Sequence, residues 1–144
     1  MTAAVVGHYL EDLSIGQSAS YTRTITESDI QQFGAVSGDL NPLHFDEDYA
    51  KTTIFRGRIA HGMLSASFLS TVLGTQLPGA GSIFLGATIR FNAPVRLGDT
   101  VVAMCTVREI LPPKGRVIFD CVCKVGETVV IEGEAMVKVP SRAG

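Results

Sequence analysis

From Ser82 to Pro140 apolar and polar residues alternate along four runs: SIFLGATIRFNAPV (82–95), DTVVAMCTVREIL (99–111), GRVIFDCVCKVG (115–126) and TVVIEGEAMVKVP (128–140). Successive side chains of a strand point to opposite faces, so each run reads as a strand with one face to bury. The connections are short and rich in Gly, Pro and charge, which requires antiparallel pairing. A sheet with one apolar face needs a cover. The preceding stretch, HGMLSASFLSTVLGTQLPG from His61 to Gly79, supplies it, being apolar around nearly its whole circumference and interrupted mainly by Ser65, Ser67, Ser70, Thr71 and Gly74. A helix of that kind is buried, and its small residues admit a close-lying backbone. The expected architecture is α+β, one long helix wrapped by a curved antiparallel sheet. With 144 residues and 46% apolar content, one domain over residues 1–144 with one core is expected.

Upstream, SASYTRTI (18–25) alternates as a short strand, and Thr26 stands where a helix cap belongs. Its hydroxyl can accept from the free amides of the first turn, while Asp29 places negative charge at the favourable end of the helix dipole. Ile30, Phe33 and Ser37 share a face, and Gly38 can stop the helix at positive φ. Pro42 then lacks an amide hydrogen and drives Asn41 towards extended geometry, so Asp39–His44 is expected on a stiffened loop. Asp46, Glu47 and Asp48 followed by Lys51 suit a second, short helix.

Charge excludes some functions. The net charge of −2 offers no basic field for nucleic acid. No stretch is long and apolar enough to span a bilayer, and the N-terminal residues lack a basic lead before an apolar run, so a cytoplasmic location without membrane contact is expected. Cys105, Cys121 and Cys123 are odd in number and fall in strands, which suits small core residues in a reducing compartment better than a disulfide framework.

Chemistry concentrates in GDLNPLH (38–44). A carboxylate and an imidazole, Asp39 and His44, on one rigid turn can converge on a water molecule as an acid/base pair. His61-Gly62 opens the buried helix, where unpartnered amides and the positive end of the dipole favour a carbonyl oxygen gaining negative charge, and Gly62 allows it to come close. Asp39, His44 and His61 have the composition of a two-His-one-carboxylate metal site, but acid/base use of the pair is the preferred reading and no metal is expected. DLNPLH begins like a calcium loop, yet Ala50 stands where that loop needs its bidentate Glu.

FGAVSGDLNPLH (33–44), with Ala50 beyond it, resembles the hydratase-2 signature of the MaoC-like (R)-specific enoyl-CoA hydratases, and IAHGMLSASFLSTVLGTQLPGAGSIFLG and GDTVVAMCTV extend the likeness from about Leu13 to Pro140. The resemblance implies a hot-dog fold with an overhanging segment that carries the Asp and His, in a homodimer. It implies that Asp39 and His44 activate one water for syn addition to a trans-2-enoyl-CoA, giving an (R)-3-hydroxyacyl-CoA, with the Gly62 amide on the thioester oxygen and Asn41 shaping the loop. Ser70, Leu73 and Met136 align with acyl-pocket positions. No cofactor is implied, CoA being the carrier of the substrate, whose phosphates could meet Arg56, Arg58, Arg90, Arg96, Lys114 or Arg116. Related readings are a 3-hydroxyacyl-ACP dehydratase, a hot-dog thioesterase and a non-catalytic acyl-CoA-binding protein.

Overall fold

A computed structural model describes residues 7–143 of the chain. The element order is β1 (Ser18–Thr24), α1 (Glu27–Ser37), α2 (Pro42–Phe45), α3 (Glu47–Ala50), α4 (Gly62–Thr75), β2 (Ile83–Phe91), β3 (Thr100–Leu111), β4 (Arg116–Val125) and β5 (Thr128–Lys138). The strands form one antiparallel sheet in the order β1-β3-β4-β5-β2. The α+β reading therefore holds, with the four period-two runs of the second half and the short N-terminal strand all in the same sheet.

Burial follows the alternation. Val101, Ala103, Cys105 and Val107 of β3 face inward with Val117, Phe119, Cys121 and Cys123 of β4 and with Ala135 and Val137 of β5. They close over Leu64, Phe68, Leu69, Val72 and Leu73 of α4. The cysteines sit at this helix–sheet seam as free thiols, with Cys105 Sγ 3.8 Å from the Leu69 carbonyl and Cys123 Sγ 3.7 Å from that of Ser65. A small side chain with a weak S–H donor suits a seam where sheet and helix backbone lie close.

Three expectations need correction. α4 is not buried all round: Gly62, Met63, Ser67, Ser70 and Gly74 lie on an exposed face, because one chain's sheet wraps only one side of the helix. The first run ends as a strand at Phe91 rather than Val95, and Pro94, without an N–H for a ladder, lies in the connection to β3. In α1 Ile30 and Phe33 do share the face turned to the core, together with Asp29 and Gly34, but Ser37 is exposed, its hydroxyl donating back to the Phe33 carbonyl at 2.6 Å.

The segment between β1 and α4 overhangs the sheet. Thr26 and Asp29 form the expected capping box, each main-chain N–H donating to the other's side-chain oxygen at 3.1 Å. Gly38 ends α1 at φ 78°. Among the described residues no helix is long and apolar enough to cross a membrane.

Candidate active site

The loop expected around Pro42 is in part helical. Asn41 caps α2, its Oδ1 accepting from the Leu43 amide at 3.1 Å, and Pro42 occupies the first turn, where a missing N–H is harmless. Pro42 thus starts a helix instead of prolonging a loop, and that helix carries His44 inward to 8% exposure. Asp39 stays on the turn before it. Its amide donates to Ser37 Oγ at 3.1 Å and its Oδ1 accepts from the Asn41 amide at 3.2 Å, which leaves Oδ2 without a partner among the described residues.

His44 is oriented from outside its own helix. Nδ1 lies 2.8 Å from the Ile59 carbonyl. A carbonyl only accepts, so Nδ1 carries the proton and Nε2 the lone pair. Burial holds the imidazole below its ordinary value of 6.5, against the opposing pull of the Ile59 bond; the neighbouring His61 lowers it further and the Asp39 carboxylate raises it. The ring is therefore in its proton-accepting form at neutral pH. Arg58 braces the same helix, its Nε donating to the His44 carbonyl at 2.7 Å while Nη1 and Nη2 grip the Glu27 carboxylate at 2.7 and 2.8 Å. That fork, helped by Gln31, depresses the Glu27 carboxyl to about 2.

Asp39, His44, His61 and Gly62 meet at one cavity of about 400 Å³, whose other walls include Phe55, Ile59, Phe91, Val95 and Ile131. Gly62 begins α4, so its amide has no acceptor within the helix. A Cβ at Gly62 would stand 2.7 Å from the Phe91 ring, so glycine keeps the helix start open to the cavity. Ser65, one turn along, also lines this cavity with a buried and unpartnered hydroxyl; sequence reasoning passed over it as one more small residue of the helix.

The expected acyl-pocket residues do not share this cavity in the single chain. Ser70 lines a second, strongly apolar cavity of about 300 Å³ with Phe33, Phe84 and Ile89, and Met63 borders both cavities. Leu73 is buried in the core, and Met136 lies on the other face of β5, near Leu85 and Ile118. The cation candidates also separate. Arg58 is committed to Glu27, Arg90 to Glu132 and Arg96 to the Phe55 carbonyl, while Arg56, at φ 59° beside Phe55, has no side-chain partner among the described residues.

Donor atoms of Asp39, His44 and His61 lie within 4.8 Å of one another, as a metal site would need. His61, however, turns Nε2 to the Asp39 carbonyl, 2.9 Å away, and its Nδ1 is closed off. What opens to the cavity is a carboxylate oxygen and one imidazole lone pair, facing an apolar space with free amides at its side. This can hold a water, take its proton and stabilise charge on a carbonyl oxygen.

Comparison with known proteins gives a consistent set of likenesses. The family model described as "MaoC like domain" matches residues 13–132. An (R)-specific enoyl-CoA hydratase from Rhodospirillum rubrum is 57% identical over 135 residues, covering 94% of each chain. The unliganded R-hydratase PhaJ1 from Pseudomonas aeruginosa superposes with a TM-score of 0.88 at 45% identity, over 96% of this chain and 89% of that one. The (R)-hydratase of Aeromonas caviae involved in PHA biosynthesis gives 0.87 at 40% identity, over 90% and 99%.

Proposed function

Since the chain belongs to the MaoC-like domain family and has its hot-dog fold, we propose that it is an (R)-specific enoyl-CoA hydratase, adding water reversibly across the double bond of a trans-2-enoyl-CoA. The observation that carries the reading is the convergence of the open Asp39 oxygen, the His44 Nε2 lone pair and the free Gly62 amide on one apolar cavity.

In this mechanism the water sits between Asp39 and His44. His44 accepts a proton as the oxygen attacks C3, and Asp39 fixes the second hydrogen and so the direction of the lone pair. Charge flows to the thioester oxygen, where the Gly62 amide and the α4 dipole meet it; a single such donor contributes roughly 3 kcal/mol. The enolate-like carbon C2 then takes back, from the same face, the proton that His44 removed from the water, which makes the addition syn; the face of C3 turned towards the water makes the product (R). Dehydration retraces the path. Hydration oxidises C3 and reduces C2 by equal amounts, so the reaction calls for no redox group, and the apolar walls hold the acyl chain while excluding stray water.

The working unit in this reading is a homodimer. What supports it is β2: an edge strand whose Ile83, Phe84, Leu85 and Phe91 are all exposed in the single chain, although an unpaired apolar edge is a liability that proteins cover.

The test follows loss of the conjugated-thioester absorbance of crotonyl-CoA. Asp39→Asn should fold normally and lose at least about a hundredfold in kcat, the usual weight of an acid/base group. Unchanged turnover, or release of free thiol in place of hydration by the wild-type protein, would overturn the reading.

A further inference from the structure

His61 has no step in the mechanism above, yet it touches every part of the site. It is the N-cap of α4, directly before Gly62, and makes no capping bond with its side chain. Its Nε2 lies 2.9 Å from the main-chain carbonyl of Asp39, so Nε2 carries the proton and donates. The ring stacks on His44 with centroids 3.9 Å and planes 30° apart. Phe33 at 4.9 Å and Phe45 at 5.6 Å hold it in place. The residue is 2% exposed, and Nδ1 is enclosed with no partner.

That last feature argues against a space-filling role. A nitrogen buried with its lone pair unmatched is unfavourable, and an apolar ring of similar size would avoid it. What only a ring with a donor offers here is the pair of contacts it makes, a flat face against His44 and an N–H to Asp39. The turn bonds of Asp39, to Ser37 and Asn41, stay within its own stretch of chain. Among the described residues, the bond from His61 is the one that ties this turn to α4.

We infer that His61 is a positioning residue, a strut from the start of α4 that sets where the Asp39 carboxylate and the His44 imidazole stand relative to the Gly62 amide. The inference rests on the hydratase reading. One side chain fixes the distance between the groups that activate water and the group that receives charge from the thioester. An error of about an ångström in such a spacing can cost on the order of a hundredfold in rate.

Two variants separate the contacts. His61→Phe keeps the flat ring and removes the donor; His61→Gln restores a donor at a similar reach without the ring. With thermal midpoints and circular dichroism verifying the fold, His61→Phe should lose roughly tenfold to a hundredfold in kcat for crotonyl-CoA while KM stays within about threefold. His61→Gln should recover most of that loss. A wild-type kcat in His61→Phe, or a His61→Gln no better than His61→Phe, overturns the strut. If His61→Phe does not fold, His61→Met, also donorless, takes its place against His61→Gln with the same criteria. Nitrogen-15 NMR of the imidazoles is independent of activity: the wild-type protein should show His61 protonated at Nε2, and an Nδ1-protonated ring overturns the inference. Failure of wild-type protein to hydrate crotonyl-CoA would instead strike the hydratase reading, leaving the imidazole signal to judge the contact itself.

Discussion

At the scale of single residues the site is governed by which nitrogen of each histidine holds its proton. His44 gives its Nδ1 hydrogen to Ile59 and burial lowers its pKa from 6.5, so the form that accepts a proton persists below that value. Hydration needs this form. The acid limb of kcat/KM for crotonyl-CoA is therefore expected below pH 6.5, and a limb at or above 6.5 in a pH–rate profile would contradict the assignment. The sign for stability is the same: a group whose folded pKa is depressed favours the native state above its unfolded value, and that contribution is lost as pH falls towards the folded one. The sequence placed Asp39 and His44 on one turn and Gly62 at a helix start, the family resemblance supplied their roles, and the structure brings all three to one cavity. The direction of the His44 lone pair was not legible in the sequence. It depends on a carbonyl fifteen residues away, at Ile59.

At the scale of elements, accuracy depends on how α1 and α2 meet. Gly34 of α1 faces Phe45 of α2 so closely that a Cβ there would stand 2.5 Å from Phe45 Cζ. Gly34→Ala sets two effects against each other: alanine in a helix gains about 1 kcal/mol over glycine, while overpacking costs about 1–3 kcal/mol. The balance runs from no change to a loss of about 2 kcal/mol, yet the displaced Phe45 pushes on His61 and on the helix that bears His44, so kcat should fall even at temperatures where the variant is fully folded. A wild-type kcat for this variant would mean that Phe45 swings aside without moving α2. The caps of these helices could be read from Thr26, Gly38 and Asp46, since each is satisfied within a few residues. Pro42 misled because its two preferences, ending one helix and starting another, look alike in sequence, and only the Asn41 cap distinguishes them. The acyl-pocket positions Ser70, Leu73 and Met136 depend on which face of α4 or β5 turns inward, and a resemblance in sequence carries no such direction.

At the scale of the whole molecule, the strand pattern revealed the sheet but not its edges. Alternation says that a strand has one buried face; it does not say which strand lacks a neighbour. In β2 Phe84 and Leu85 are 45% and 44% exposed in the single chain. Pairing of β2 with its copy would cover them, so the 15.3 kDa chain should sediment at twice its mass, and Leu85→Pro, which removes an edge N–H, should shift it towards monomer; a wild-type monomer at micromolar concentration would contradict the dimer. The overhang has a further consequence. Residues between β1 and α4 pack on the core through Ile25, Ile30 and Ala60, and long-range polar ties such as Arg58 to Glu27 and His61 to Asp39 hold their turns together. Opening this segment would uncover Ile25, Ile30 and Ala60 but leave the β3–β4 ladder paired, so its amides should trade hydrogen for deuterium before those of β3 and β4. Mild denaturant would then silence the protein while its sheet still stood, and removal of the denaturant would restore it without the sheet having to form again.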